Sequence, residues 1–398
     1  MTMKPTGALD GVKVLDLSRV LAGPFCTMIL ADLGAEVIKI EIPEKGDDSR
    51  RFGPFVNGES GYFMNINRNK KGVTLNLKGK GHALFLDMVK KADIVVENYR
   101  PGVMEKLDLG YDELKKINPG IIYGCVSGFG HSGPYSQRPG YDVIGQASSG
   151  LMSTTGWPEG DPTRIGTAMA DTLAGYSLAI GLLAALQSKR NTGKGQKVDV
   201  GIMDSGVASM QIIYPIYTMG GTLPQRIGNR YESNYPTDSF RSNDGMFVIS
   251  AANDKLWQNV CIAMGKPDIA KDKQFLTNPD RVKNHAEIKT VIEEWSTKLT
   301  STEAVEALIA NGVPASKINN LQDVVNDPQA KEREMFVSVE HPVAGSTLLN
   351  GPHIKLSDTK AIINSPAPLL GQHNQEIFSK WLGMDEEQIE NYHQQGVI

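Results

Sequence analysis

The chain has 398 residues, 40 % of them apolar and 22 % charged, with a formal net charge of −4. That length suggests two or three domains and a core that holds without disulfides or metals, and the charge balance excludes the basic stripe that nucleic-acid binding needs. Cys26, Cys125 and Cys261 are scattered and form no CxxC pair, which fits a reducing compartment and gives no zinc signature. The opening MTMKPTGALDG lacks a charged-then-apolar leader pattern, and the most apolar stretch, Leu178 to Leu186, is too short to span a bilayer. A cytoplasmic location with no membrane or nucleic-acid partner is therefore expected.

In chain order, GVKVLDLS reads as a strand. AGPFCTMILADLG reads as a helix, with Pro24 at a plausible first position and Gly34 just past its end. AEVIKIE is a second strand, completing a βαβ unit whose strands should be parallel. VTLNL (strand), GHALFLDMVKKA (helix), DIVVENY (strand), GYDELKKINPG (helix stopped at Asn118 and Pro119) and IIYGCVSGFG (strand) repeat the pattern. Such alternation predicts an open α/β sheet with helices on both faces. Asp171 to Arg190 reads as one long helix, apolar nearly all round and therefore buried, and VDVGIMD as a further strand. The polar stretch GNRYESNYPTDSFRSNDG reads as a linker or active-site loop. MFVISA, WQNVCIAMG and two amphipathic helices between Asn284 and Asn311 indicate a smaller α+β domain. FVSVEH and STLLNG read as a hairpin, and DEEQIENYHQQGVI as a terminal helix. The expected boundaries are 1–220 for the large domain, 221–330 for the small one and 331–398 for a C-terminal segment.

Asp171 stands where a loop of small residues, RIGTAMAD, meets that long helix. Asp is a favoured N-cap. The same placement suits a nucleophile, since a carboxylate at a helix start is expected to stay ionised and to see backbone N–H donors. Lys39, Arg50, Arg51, Arg68, Lys70, Lys71 and Lys78 form either a solvated face or a surface for the phosphates of a nucleotide-like ligand. No GxGxxG or GxxxxGK[ST] is present. SGFGHSGP, residues 127–134, offers backbone N–H groups to an anion or serves as a plain connection. The histidines show no metal-ligand spacing.

These blocks together resemble the class III CoA-transferase family, also called the formyl-CoA transferase or carnitine CoA-transferase family. The resemblance rests on LDGVKVLDLSRVLAGPFCTMILADLGAEVIKIE, GDDSR, VENYRPGVMEKLDLGYDELKKINPGIIYGCVSGFGHSGP, GTAMADTLAG, LLAALQSKRNTGKGQKVDVGIMD, GVPASKINN and GPHIKLS. It covers nearly the whole chain. It implies a Rossmann-like large domain built from both chain ends, a smaller domain between, and two subunits interlocked as a homodimer. It further implies CoA transfer from an acyl-CoA donor (acetyl-, succinyl- or formyl-CoA) to a small carboxylate or dicarboxylate. The implied carrier is Asp171, through an aspartyl-CoA thioester, with coenzyme A as substrate and no permanently bound cofactor. By matching motif, Val20, Leu21 and Ala22 correspond to backbone contacts near adenine and pantetheine. Leu75, Asn76 and Lys78 match the adenine and phosphate region, and Asn98, Tyr99 and Lys106 the pantetheine and phosphate contacts.

Two positions depart from formyl-CoA transferases: Leu21 replaces a glutamine and Ile42 an arginine. The glycine-rich flap of those enzymes is not evident after residue 220. RIGNRYESNYPTDSFRSNDG is similar instead to the corresponding loop of acetyl-CoA:oxalate and succinyl-CoA-dependent dicarboxylate transferases. One alternative is α-methylacyl-CoA racemase-type proton transfer. That chemistry uses a histidine in a GHD triplet, which here is Gly140, Tyr141 and Asp142; a phenol ordinarily stays protonated at neutral pH and is a poor replacement. The other alternative is a non-catalytic CoA-binding protein.

Overall fold

Six short strands carry the architecture: β1 (Lys13–Asp16), β2 (Glu36–Glu41), β3 (Lys70–Thr74), β4 (Ile94–Glu97), β5 (Ile122–Ser127) and β6 (Lys197–Gly201). Successive side chains of a strand face opposite ways. In the computed structural model, which describes residues 7–398, the two sets enter two separate cores. Val14, Val37, Ile94, Val96 and Val126 face one core; Leu15, Ile38, Ile40, Val73, Val95 and Tyr123 face the other. A sheet apolar on both faces needs helices on both. The N-terminal residues 1–6, part of the stretch read above for a leader, lie outside the described residues.

The site depends on five helices: α1 (Ala22–Asp32), α2 (Lys80–Val89), α3 (Asp142–Ser148), α4 (Met169–Thr192) and α5 (Ile202–Ser209). Helices α1 and α4 cover the first face through Cys26, Ile29, Leu30, Leu178 and Leu182. Helix α2 covers the second with Phe85 and Met88, joined by Ile377, Phe378 and Trp381 from near the C-terminus. That segment returns to the edge strand: the Gly72 carbonyl accepts from the His373 N–H at 2.9 Å, and the Asn76 N–H donates to the Val397 carbonyl at 2.7 Å.

The strand order is β3-β2-β1-β4-β5-β6, with every pairing parallel. This is the doubly wound Rossmann order. Its direction of winding reverses between β1 and β4, which opens a crevice beyond their carboxyl ends.

The large unit takes in residues up to 151, 164–215 and 328–398, including an antiparallel hairpin of Phe336–His341 with Gly345–Asn350. The small unit takes in 216–327 and also 152–163, a segment that the sequence reading leaves in the large domain. It holds a three-stranded antiparallel sheet, Thr237–Arg241, Met246–Ser250 and Ala315–Lys317. Its core includes Trp257, Phe247, Ile288 and Leu308.

Four expectations change. The polar stretch after residue 227 is not all loop, because Thr237–Arg241 is a strand. Phe240 pairs with Phe247 there, and buried Asp238 is held by Lys289 at 3.1 Å. Pro24 is the third residue of α1, not the first. Helix α4 begins two residues before Asp171 and has 24 residues, long and apolar enough to cross a membrane by composition alone. It is a core helix on one side only: Leu178 and Leu182 are wholly buried, whereas Ile180 is 68 % exposed.

Leu182 packs into the sheet face at Gly124, where a Cβ would stand 3.0 Å from its Cδ2. Leu182→Ala leaves a cavity there and is expected to cost about 2–5 kcal/mol, seen as a lower urea midpoint of unfolding.

Candidate active site

The crevice between β1 and β4 is a cavity of about 160 Å³. Three segments wall it, 19–22 after β1, 98–101 after β4 and 138–141, together with Asp48, Val126, Ser127, Gly128, Asp171 and Ile202. Asn98 stitches the reversal point: its Oδ1 accepts from the Arg19 N–H at 2.7 Å and its Nδ2 donates to the Arg19 carbonyl at 2.6 Å. The Arg19 guanidinium lies 5.2 Å from the Tyr99 ring centroid and 3.0 Å from Asp48. A second cavity of about 150 Å³, lined by Lys39 to Ile42, Gly46 and Asp47, shares Arg19 and Tyr99 with the first.

Buried charge fixes the loop after β1. Asp16 accepts from Ser18 Oγ, from Thr27 Oγ1 at 2.6 Å and from Lys70 Nζ at 3.0 Å. Burial raises the Asp16 pKa, but the Lys70 and Lys39 ammoniums with these hydroxyls more than offset it, so the carboxyl stays below its ordinary value. Burial pulls Lys70 down to about 8. Lys39 donates to the Ser18 carbonyl at 2.8 Å and pairs with Asp47 at 2.9 Å, both side chains fully buried. Asp47 Oδ1 in turn accepts from the Val20 N–H at 3.2 Å. Val20 sits at φ +67, a left-handed conformation that is rare for a β-branched residue and persists only where its surroundings enforce it. Gly23 lets the chain fold back, since a Cβ there would fall 2.3 Å from Ser18 Cβ. No side chain caps α1, whose first turn meets the cavity at Leu21 and Ala22.

Asp171 is not the N-cap. Ala168 holds that position and offers no side-chain bond. The cap comes from 29 residues upstream: Asp142 Oδ1 accepts from the Ala170 N–H at 2.8 Å and the Asp171 N–H at 3.2 Å. Asp171 is therefore left without the amides that would hold its charge. It is 9 % exposed, and its Oδ1 is buried with no hydrogen-bond partner. Burial, and then the Asp142 carboxylate, push its pKa up to about 7, where the sequence reading expected a readily ionised group. Burial and the Asp171 charge likewise raise the nearby Tyr62 phenol to about 12. Tyr62, Leu21, Ala168 and Thr172 border a further groove of about 830 Å³ that extends to Leu348 and Leu349.

The connection from Ser127 to Asp142 is pinned at its neck. Gly128 and Gly140 face each other so closely that a Cβ on Gly128 would stand 2.6 Å from Gly140 Cα. Two residues on, Asp142 reaches α4.

Of the residues carried over by motif, Val20, Leu21, Ala22, Asn98 and Tyr99 share the cavity wall with Asp171. Four are not on that wall. Leu75 is buried and donates to the Glu41 carbonyl at 2.8 Å; Asn76 accepts from the Lys78 N–H at 3.2 Å; Lys78 and Lys106 are exposed. The basic cluster is largely internal rather than a phosphate-docking face. Lys39, Arg68 and Lys70 are buried in ion pairs with Asp47, Asp32 and Asp16, while Arg50, Arg51 and Lys71 pair with Glu41, Asp48 and Glu376.

In the glycine-rich loop the His131 N–H is taken by Asp199 at 3.0 Å. Its ring lies 3.0 Å from Lys197 Nζ and 3.6 Å from Glu97, which burial pushes up to about 8. Glu97, Cys125 and His131 have metal-like spacing. However, the Lys197 ammonium on Nδ1 keeps the proton on Nε2 and adds positive charge, both of which oppose a cation. The sequence reading missed Arg19, Arg100 and Arg138 on the wall and Asp142 as the cap. The available signal was an Asp opening its own short helix, GYDVIGQ.

The chain matches the family model described as CoA-transferase family III over residues 9–374. It is 42 % identical over 356 residues to the acetyl-CoA:oxalate CoA-transferase of Acetobacter aceti, covering 89 % of this chain and 90 % of that one. It is 40 % identical over 393 residues to the human succinyl-CoA:glutarate CoA-transferase, covering 98 % and 90 %. A crystal structure of a CAIB/BAIF family protein from Brucella suis superposes with a TM-score of 0.85 at 36 % identity, covering 94 % of this chain and all of that one. The chain belongs to CoA-transferase family III and is a CoA-transferase enzyme.

Four outcomes follow from this geometry. The family resemblance implies that Asp171 attacks the thioester; on that reading the carboxylate is the attacking form, and acylation should fall about tenfold per pH unit below about pH 7 and level off above it. Asp142→Asn keeps a capping oxygen but removes the neighbouring charge, and should move the inflection to lower pH in a pH–rate profile. Asp47→Ala strands the Lys39 ammonium and frees the Val20 N–H. It should cost about 3–5 kcal/mol in thermal unfolding, whereas Val20→Gly, which relieves the left-handed strain, should be neutral or stabilising by about 1 kcal/mol.

Proposed function

We propose that this enzyme carries CoA from an acyl-CoA donor, acetyl- or succinyl-CoA in the first instance and formyl-CoA less readily, to a small dicarboxylate through a thioester on Asp171. One observation carries the reading: a buried carboxylate with an unpartnered oxygen, on the wall of an arginine-bearing crevice at the sheet's reversal point. The names of the relatives, which transfer CoA to oxalate or glutarate, support the acceptor class.

The chemistry balances without an external energy source. An Asp171 oxygen attacks the thioester carbonyl; the C–S bond breaks, leaving a mixed anhydride and CoA thiolate. The thiolate attacks the Asp171 carbonyl carbon, and the donor's acid leaves as carboxylate. The acceptor carboxylate attacks the resulting aspartyl-CoA thioester, forming a second anhydride and releasing thiolate. The thiolate then takes the acceptor acyl group, and Asp171 leaves as carboxylate. Each step exchanges one activated acyl bond for another, and covalent catalysis divides one difficult exchange into easier ones. Little solvent reaches Asp171, which protects both anhydrides from hydrolysis. Tyr141, 70 % exposed at the cavity edge, offers no buried base for a racemase.

A homodimer is part of this proposal. Phe55, Val56 and Leu348 are exposed beside the large groove, and Ile180 adds to the uncovered apolar surface, which is the kind of area a second subunit buries. Leu75, Asn76, Lys78 and Lys106 are kept as proposed contacts to the nucleotide end of CoA.

The test is intact and peptide mass spectrometry after incubation with acetyl-CoA and, separately, succinyl-CoA. A CoA-sized adduct on the peptide containing Asp171, discharged by oxalate or glutarate and absent in Asp171→Ala, is expected. Absence of the adduct across a panel of acyl-CoAs, with α-proton exchange into deuterated water, would instead establish proton transfer.

A further inference from the structure

Resting on the transferase reading, we propose that Arg138 is a specificity residue that binds the distal carboxylate of a dicarboxylic substrate, in the free acceptor and in the acyl part of the donor alike.

Three arginines stand on the cavity wall: Arg19 and Arg100 on the loops after β1 and β4, and Arg138 on a separate segment. The side formed by the loops after β1 and β4 carries Arg19, already paired with Asp48 at 3.0 Å. It shares Arg19 and Tyr99 with the second cavity, so a long nucleotide ligand has its continuation there. Another part of the wall is residues 138–141, which run directly into the Asp142 cap and so to Asp171. Arg138 is the cation of that part.

Three observations fit Arg138 to a carboxylate. Among the described residues no acidic side chain lies within ion-pairing distance of it. It is held in place before any ligand arrives: its guanidinium stacks 3.6 Å from the Tyr135 ring centroid, and its N–H donates to the Tyr135 carbonyl at 2.9 Å. Tyr135 is itself braced edge-on by Phe129 at 5.9 Å. A stacked guanidinium still presents its in-plane N–H fork, the geometry that takes a carboxylate bidentately.

The reacting end also needs such a cation. Asp171 and Asp142 lie together there, and only burial and Asp142 move the Asp171 pKa; no positive group bears on it. A dianionic acceptor would therefore approach two carboxylates with nothing to offset its charge. Arg138 lines the same cavity as Asp171 and is not among the groups that move its pKa, which suits the far carboxylate rather than the one that reacts.

The experiment uses the full chain with Arg138→Gln and Arg138→Lys. Steady-state constants are measured for glutarate against butyrate as acceptors, and for succinyl-CoA against acetyl-CoA as donors. Arg138→Gln should raise KM at least tenfold for glutarate and succinyl-CoA and leave butyrate and acetyl-CoA within twofold. Arg138→Lys, a point charge without the fork, should fall between. Formation of the CoA adduct from acetyl-CoA reports an intact site in each variant, and its absence from the unaltered protein would count against the transferase reading itself. Equal loss for acetyl- and succinyl-CoA would assign Arg138 to a CoA phosphate and overturn the proposal, as would unchanged KM values throughout.

Discussion

The first amides of α4 can be capped only once, and Asp142 caps them. That single allocation decides the character of Asp171. Had its own side chain folded back onto the helix start, two N–H donors would have held it ionised and turned away from substrate. With the donors taken by a residue 29 positions earlier, Asp171 keeps a helical backbone, a buried oxygen and a pKa near neutrality. In its proposed role as nucleophile, Asp171 gains from this arrangement because its lone pairs are not spent on the protein.

Around that point the molecule invests its buried charge in backbone placement rather than in ligand contact. Lys39, Lys70, Asp16 and Asp47 are wholly or almost wholly buried, and each holds a neighbouring loop or strand end. Their reward is a Val20 backbone that no local preference would choose. Ion pairs so deeply buried are weak contributors to net stability; here they define where the amides of residues 20–22 stand.

Much of the fold was legible in the sequence. The short β-rich runs KVLD, EVIKIE and IVVE and the helices between them implied strands, alternation and parallel pairing, because such patterning is local. The strand order was not local, and it is what opens the crevice between Arg19 and Asn98. The basic residues near the first strands were visible but their partners were not: Arg68 meets Asp32 and Lys71 meets Glu376, pairs 36 and 305 residues apart in the chain. Asp171 was found by motif, yet its ionisation was misjudged, since burial and a cap supplied from elsewhere leave no mark in GTAMADTLAG. Thr237–Arg241 was read as loop because its buried Asp and Ser look like surface residues until Lys289 is placed beside them.

The return of residues 374–398 to the edge strand has a consequence for how the chain is made. The face formed by Leu15, Ile38, Val95 and Tyr123 is covered by α2 and closed by Ile377, Phe378 and Trp381, so a chain emerging from the ribosome completes its central sheet long before the rest of that cover exists. At ordinary rates of synthesis that interval is on the order of ten seconds or more. During it, a nascent chain displays part of an apolar sheet face, and cellular yield depends on what shields that surface until residues 374–398 arrive.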